Sequence, residues 1–321
     1  MKPGDIQNII GADLEAVKDL VRSRLSSSVR LLQDVNESLL ESGGKMARPS
    51  LCLLMARACG DVAEDTRRFA AGVELLHNST LLHDDVADAA DFRRGVPTVR
   101  SLYGPVPAVL VGDFWLARSL DLILESGHRN WALKAFSKTL VDLSEGEMLQ
   151  QQKAFQCDTT EEDYLRIIYC KTASLFELSC RAAAVSVDAS PQMTDAAGAY
   201  GRALGIAFQI KDDILDYTGG DIGKPSGLDL AERKITLPLL GALRSSGEEK
   251  AVREMLRSLP EHPENRAAIS GFVSRHGGID YARKALHSYI GAALAALSFL
   301  PESEERTALE EFAHLNEIRE K

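Results

Sequence analysis

Sulfur chemistry has little to work with in this chain. Its five cysteines, Cys52, Cys59, Cys157, Cys170 and Cys180, are odd in number and include no Cys-x-x-Cys pair. Neither a disulfide framework nor a zinc site is suggested, and buried reduced thiols are expected. Long apolar runs are also missing: the longest, Ile290 to Leu300, falls well short of the ~18 residues that span a bilayer. The first residues, Met-Lys-Pro-Gly-Asp, carry no apolar signal core, so a cytoplasmic protein that does not span a membrane is expected. Basic residues are in deficit, with Lys and Arg at 37 against 47 Asp and Glu, leaving a net charge of −10. That balance argues against nucleic-acid binding and means that any phosphate ligand must be held locally. There is no sustained alternation of β-branched residues, no Pro/Ser-rich linker, no low-complexity tract and no repeat of fixed period. The class is therefore all-α, and residues 1–321 read as a single domain.

What the chain does have is helical periodicity. Ile9, Ile10, Leu14, Val17, Leu20, Val21 and Leu25 recur at three- and four-residue spacing in the first stretch, which stops at Gly43-Gly44. Residues 62–90 form a long helical pattern, and another runs from Pro105 to Phe155. Thr159-Thr160-Glu161-Glu162 fits a capping box, as do Ser246 and Glu249, while Ser190-Pro191 fits an N-cap followed by a proline in the first turn. Gly277-Gly278 separates two of the last helices.

Into this apolar periodicity the chain drives aspartates. Asp84, Asp85 and Asp88 form an Asp-Asp-x-x-Asp, and Asp212, Asp213 and Asp216 form a second far downstream. At about 100° per residue, Asp84 and Asp88 share a helical face, with His77 two turns earlier on the same stripe. Two carboxylates one turn apart repel, and the repulsion calls for a divalent cation. With 23 aspartates in the chain, chance supplies roughly 0.1 such motifs, so two together carry a strong signal. Two clusters facing one another would bind two or three Mg²⁺ ions through few protein oxygens and leave coordination places for substrate phosphate.

Cations stand near each cluster. Lys45 and Arg48 follow Gly43-Gly44 at the start of a helix, where a diphosphate seat and a glycine stop with two solvated basic residues both fit. Arg93 and Arg94 follow the first motif and would fork onto phosphate oxygens or pair with Asp88 and Asp91. Lys224 lies in a glycine-rich stretch after the second motif, with Lys234 beyond it; swinging over a metal-bound anion and lying in an ordinary surface loop are both open to them.

These residues together resemble the trans-polyprenyl diphosphate synthase family, over nearly the whole length. The resemblance is carried by Gly43-Gly44-Lys45, Arg48-Pro49, His77, the first aspartate motif with Arg93-Arg94-Gly95, Gly112-Asp113, Glu145-Gly146-Glu147 with Gln150, Lys171-Thr172, Phe208-Gln209, the second motif, and Gly223-Lys224-Pro225 through Lys234 to Pro238. It implies an all-α isoprenoid synthase bundle of roughly a dozen helices around a central active-site cavity. It also implies a homodimer and Mg²⁺ as cofactor, with Mn²⁺ as a substitute. The reaction implied is the 1′-4 condensation of isopentenyl diphosphate with an allylic diphosphate. By position, Asp84, Asp88 and Asp212 resemble the principal metal ligands, with Asp85, Asp213 and Asp216 in direct or water-mediated support. Arg93, Lys171, Thr172, Gln209, Lys224 and Lys234 would surround the allylic diphosphate, and Lys45, Arg48, His77 and Arg94 would bind isopentenyl diphosphate. Asp84, Asp85, Asp88, Arg93, Lys171, Asp212 and Lys224 would carry the ionisation step, with the departed diphosphate taking the final proton, so no side-chain base is implied.

Two positions depart from the family pattern: Met46, where a further arginine is usual, and Arg233, where a glycine usually precedes Lys234. Ser79 and Thr80 resemble the positions at which short-chain members place an aromatic floor, and here both are small. An open tunnel and a product longer than C20, in the C30 to C40 range, are therefore expected, with a farnesyl or geranylgeranyl synthase as the alternative. The lipophilic product implies transient membrane contact. A class I terpene cyclase would carry a different second metal motif. An inactive or regulatory subunit of a heteromeric synthase would have lost an aspartate cluster, and both are intact here; a catalytic subunit of such a synthase fits equally. A helical metal-binding scaffold would have no use for the matching cations.

Overall fold

A computed structural model of the chain describes residues 3–41, 44, 46–93, 95–218 and 227–318. The apolar spacing of the first stretch is realised as a buried stripe: Ile10, Leu14, Val17 and Val21 line one face of α1 (Pro3–Arg24), with Leu25 buried just beyond it. There follow α2 (Arg30–Glu41), α3 (Ala47–Cys59) and α4 (Glu64–Ala87). A small antiparallel ribbon, β1 (Phe92–Arg93) and β2 (Val96–Pro97), pairs Arg93 with Val96. After it come α5 (Val99–Tyr103), α6 (Pro105–Leu124), α7 (Arg129–Gln156) and α8 (Glu161–Ile168), which runs through a single π turn (Tyr169–Ala173) into α9 (Ser174–Ser186). The chain continues as α10 (Pro191–Thr218), α11 (Leu228–Ala231), α12 (Leu237–Ser246), α13 (Glu249–Arg257), α14 (Asn265–Arg275), α15 (Gly278–Ala296) and α16 (Glu304–Ile318). The class is all-α, as expected, with sixteen α-helices among the described residues where roughly a dozen were expected.

Three boundaries differ from the sequence reading, each for a local reason. The pattern from Pro105 to Phe155 is two helices, because Ser126 and Gly127 interrupt it; Ser126 Oγ accepts the His128 N–H at 2.9 Å and donates to Asp65 at 2.7 Å. The capping box before α8 sits one residue later: Thr160 accepts the Asp163 N–H at 3.1 Å, and Asp163 accepts the Thr160 N–H at 3.0 Å. Ser246 and Glu249 form no box. Gly247, at φ 71°, ends α12 directly after Ser246, whose hydroxyl accepts the Glu248 N–H instead.

The described chain divides into two compact units. One comprises Met1–Ser137, Leu178–Ala197 and Phe299–Leu309; the other comprises Lys138–Glu177, Gly198–Ser298 and Glu310–Lys321. In the first, α4 is the central element and packs most extensively on α6. Small residues, Ala70, Ala71 and Gly72, let the two helices approach, and Ser119 on α6 donates to the Gly72 carbonyl at 2.8 Å. Phe69, fully buried, stacks its ring 6.5 Å from those of both Trp131 and Phe136. A buried aromatic removes ~150–250 Å² from water, which helps to hold the aspartate-bearing helix in place. Buried Asp13 is held by Arg57 at 2.7 Å and Arg67 at 2.8 Å, tying α1 to α3 and α4. In the second unit α12 packs chiefly on α15, and Tyr281 donates to the Glu161 carboxylate at 2.8 Å.

All five cysteines are free; Cys52 is wholly buried, and burial pushes its thiol up to about 12. No described helix is long and apolar enough to cross a membrane.

Candidate active site

In the first unit the site grows from the end of α4. Asp84 lies in its last turn, and Asp88 is its C-cap, with its N–H bonded to the Asp84 carbonyl at 2.8 Å. The two carboxylates thus leave the helix one turn apart, as their spacing requires. Asp85, between them, turns inward: it is buried, and its Oδ1 accepts the Arg93 Nε–H at 2.7 Å. The ribbon explains the reach, because β1 carries Arg93 back to the helix it has just left. Arg93 thus pairs with Asp85, and Asp91 takes Arg100 at 2.7 Å.

Upstream on α4, Thr80 donates to the His77 carbonyl at 2.8 Å and is half-buried, whereas Ser79 is buried and donates to Leu76 at 2.7 Å. His83 packs against Gly112, where an added Cβ would lie 2.4 Å from its ring, and its Nε2 is 3.2 Å from Asp113. This contact accounts for the Gly112-Asp113 pair. Arg48 lies in the first turn of α3, half-buried, two residues after the N-cap Met46, which stands in the left-handed region at φ 49°. Lys45 and Arg94 lie outside the described residues. Two residues not singled out in the sequence lie close to His77 along α4: buried Glu74, and Asn78, whose side chain donates to the Glu74 carboxylate at 3.1 Å. A lone glutamate in a long helix offers no signal of this.

In the second unit a different helix distortion does the placing. Lys171 and Thr172 sit on the π turn, the kind of local widening that collects at functional sites. The turn is squeezed from two sides by glycines. A Cβ at Gly146 of α7 would lie 2.6 Å from Cys170 Cβ, and one at Gly205 of α10 would lie 2.5 Å from Ala173 Cα. Since the Gly205 neighbour is backbone, Gly205→Ala is expected to cost about 1–3 kcal/mol through overpacking. A urea-unfolding midpoint equal to that of the parent would overturn this.

With the turn so held, Lys171 forms an ion pair with Glu147, and Thr172 donates to Gln209 Oε1 at 2.8 Å. Burial works against the Glu147 carboxylate, yet Lys171, Gln151 and Lys234 together hold it below its usual range. Gln209 Nε2 donates to Asp213 Oδ1 at 2.9 Å, and the Tyr164 hydroxyl donates to Asp213 Oδ2 at 2.6 Å. Asp213 is 3% exposed. Burial, with Asp229 beside it, pushes Asp213 well above the usual carboxylate range; Asp229 is raised by burial and by Asp216. Asp216 is also engaged, capping the short α11: its two oxygens accept the N–H groups of Leu228 at 3.1 Å and Asp229 at 3.3 Å. Asp212 is half-buried in the same stretch of α10.

Arg233 shows why a glycine is usual there. It stands at φ 57° as the left-handed residue that ends α11, with its N–H bonded to Leu230 O at 2.9 Å and the Lys234 N–H to Asp229 O at 2.8 Å. The capping hydrogen bonds survive the substitution, and Lys234 pairs with Glu232 at the edge of a cavity of about 140 Å³. Tyr164, Lys171, Gln209, Asp213 and Asp229 also line that cavity. Lys224 lies outside the described residues. Asp229 was legible only as part of the quoted motif, and Tyr164 not at all, since a tyrosine on an amphipathic helix reads as core.

The donor sets fit Mg²⁺. They are carboxylate oxygens, and no group of three or more His, Cys, Asp or Glu side chains closes into a metal cage among the described residues. Mg²⁺ takes one or two carboxylates, retains waters and adds substrate phosphate, so it needs no such cage.

The polyprenyl synthetase family model matches residues 29–271. An all-trans-nonaprenyl-diphosphate synthase (geranyl-diphosphate specific) of Rhodobacter capsulatus is 39% identical over 310 residues, covering 95% of this chain and 94% of the relative. The crystal structure of a decaprenyl diphosphate synthase from the same organism superposes with a TM-score of 0.92 at 34% identity, over 99% of both chains. A polyprenyl synthase from Caulobacter crescentus CB15, complexed with calcium and isoprenyl diphosphate, gives 0.89 at 34% identity over 98% of this chain and 97% of that one. The chain belongs to the polyprenyl synthetase family and is a prenyltransferase.

Proposed function

We propose that the chain condenses isopentenyl diphosphate with an allylic diphosphate to give an all-trans polyprenyl diphosphate longer than C20. The observation that carries this is the linked set in the second unit, in which Lys171, Thr172 and Gln209 are held together beside the second aspartate motif. A lysine, a hydroxyl and an amide make donors for a diphosphate, and Asp212 stands next to them for the metal. Relatives named for nine and ten isoprene units support a product longer than C20.

Two or three Mg²⁺ ions are the cofactor in this reading, with Mn²⁺ as a substitute. Asp84 and Asp88 would hold metal at the first motif and Asp212 at the second; Asp85, Asp213 and Asp216 act in support through the hydrogen bonds each makes. The metal supplies Lewis-acid stabilisation of charge on the departing diphosphate. Arg93, Lys171, Thr172, Gln209, Lys224 and Lys234 bind the allylic diphosphate and favour the state in which its negative charge is most developed. Lys45, Arg48, His77 and Arg94 hold isopentenyl diphosphate so that its double bond attacks the allylic cation, and the departed diphosphate takes the proton.

We also propose that residues 1–321 work as one domain, which the span of the family match across both units supports. A homodimer is supported by the apolar residues left exposed on α5 and α6, Leu102, Tyr103, Val106, Val109 and Leu110. A cytoplasmic location is supported by the free cysteines and by the lack of a membrane-crossing helix among the described residues.

Incubation of the purified protein with labelled isopentenyl diphosphate, Mg²⁺ and C5, C10 or C15 allylic primers should yield extractable product longer than C20. No elongation with any primer, alone or with a partner subunit, would defeat the reading.

A further inference from the structure

We propose that Tyr164 is a positioning residue for the allylic diphosphate, acting through Asp213 on the Gln209–Thr172 pair. This rests on the assignment of Gln209, Thr172 and Lys171 to that substrate.

The argument is one of hydrogen-bond polarity. Thr172 donates to Gln209, Gln209 donates to Asp213 Oδ1, and Tyr164 donates to Asp213 Oδ2. The last two residues are each 3% exposed. A primary amide offers its oxygen on one side and its two N–H donors on the other. Thr172 Oγ1 donates to the Gln209 oxygen and Gln209 Nε2 donates to Asp213 Oδ1, so the amide is held from both ends in one orientation. One N–H is then used by Asp213, and the other remains for a phosphate oxygen in the cavity that Gln209 and Lys171 line.

Tyr164 fixes the far end of this chain. Its ring is buried on α8, which its hydroxyl joins to α10, and its donation to Oδ2 stops the carboxylate from rotating. Without that hydroxyl, Asp213 Oδ2 loses its donor, and a buried polar group left unsatisfied reorganises its surroundings. The carboxylate turns, Gln209 loses the partner that sets its orientation, and the donor meant for phosphate moves with it.

Tyr164→Phe removes only the hydroxyl. It is expected to raise KM for the allylic substrate about tenfold, the effect of one hydrogen bond to a charged group. KM for isopentenyl diphosphate should stay within about twofold. Calorimetric binding of the non-ionising geranyl thiolodiphosphate with Mg²⁺ should weaken by the same factor, independently of turnover. Asp213→Asn breaks the chain from the other side: its oxygen can serve Tyr164 only by turning its NH₂ toward that of Gln209. The double variant Tyr164→Phe/Asp213→Asn should bind the analogue no more weakly than Asp213→Asn alone, because the two act as one unit.

Equal rises in both KM values, analogue binding within about twofold of the parent, or additive losses in the double variant would each overturn the proposal. Should Tyr164→Phe not fold, Asp213→Asn decides by binding of the analogue without Mg²⁺, where its support of the metal plays no part: weaker binding is expected, and binding equal to the parent would overturn the proposal. Gln209→Ala and Thr172→Ala separate the premise from the inference. If they leave analogue binding unchanged, the site assignment fails; if they weaken it and Tyr164→Phe does not, only the role of Tyr164 fails.

Discussion

Asp212→Ala is expected to lower kcat/KM for the allylic substrate by roughly three orders of magnitude, corresponding to about 4 kcal/mol of lost transition-state stabilisation. The size follows from what its neighbours are doing. Asp213 is committed to Tyr164 and Gln209, and Asp216 to the N-terminus of α11, so the metal-binding capacity of the second motif rests chiefly on Asp212. Asp216→Ala should behave differently, costing about 0.5–2 kcal/mol of stability through the lost cap and less of the rate. Steady-state kinetics at saturating Mg²⁺ with labelled isopentenyl diphosphate, alongside thermal melts, separate the two. A loss below tenfold for Asp212→Ala, or the same profile for both variants, would show that the motif does not divide its labour this way.

Spacing alone gave the motif but not the division of labour, which only the family resemblance implied. Spacing placed Asp84 and Asp88 on one helical face, and Asp84 to Ala87 are indeed the last turn of α4 with Asp88 as its cap. Spacing leaves Asp85 about 100° around the helix from Asp84 and says nothing of what it meets there. What distinguishes Asp85 from Asp84 is an arginine brought back by a two-residue ribbon, and what distinguishes Asp213 from Asp212 is a tyrosine 49 residues away. Contacts at that separation leave no periodic trace. The π turn is similarly hidden, since one wide turn does not disturb a 3.6-residue pattern enough to notice around Lys171-Thr172. The break between α6 and α7 was missed because apolar positions on either side of Ser126-Gly127 stay close to one period. By contrast, Arg233 stood out as a departure from glycine, and its φ of 57° supplies the physical reason for the glycine. Local rules about single residues and single helices were legible; the polarity of a hydrogen-bond network was not.

Thr80→Phe is expected to shorten the dominant product to C20 or below. Thr80 lies four residues before Asp84 on α4, about 6 Å of helical rise from the carboxylate. A growing chain whose diphosphate end is held at Asp84 and Asp88 must pass this part of the helix if it leaves on the Thr80 side. The present side chain is small and half-buried, with its hydroxyl folded back on the His77 carbonyl at 2.8 Å, so it leaves that passage clear. A phenyl ring there blocks it. The neighbouring Ser79→Phe is a less discriminating test, because Ser79 is 1% exposed. A ring forced into that packing is expected to cost about 1–3 kcal/mol or more, and a shortened product could then reflect a disturbed α4. Sizing of extracted products by reversed-phase chromatography, with thermal melts on both variants, makes the comparison. If chain length is unchanged in both while both remain folded, the tunnel does not run along this face of α4. Trp115 would then be the next residue to truncate: it is buried on α6, with its indole N–H donated to Asn36 at 2.8 Å, and so is fixed enough to serve as a floor.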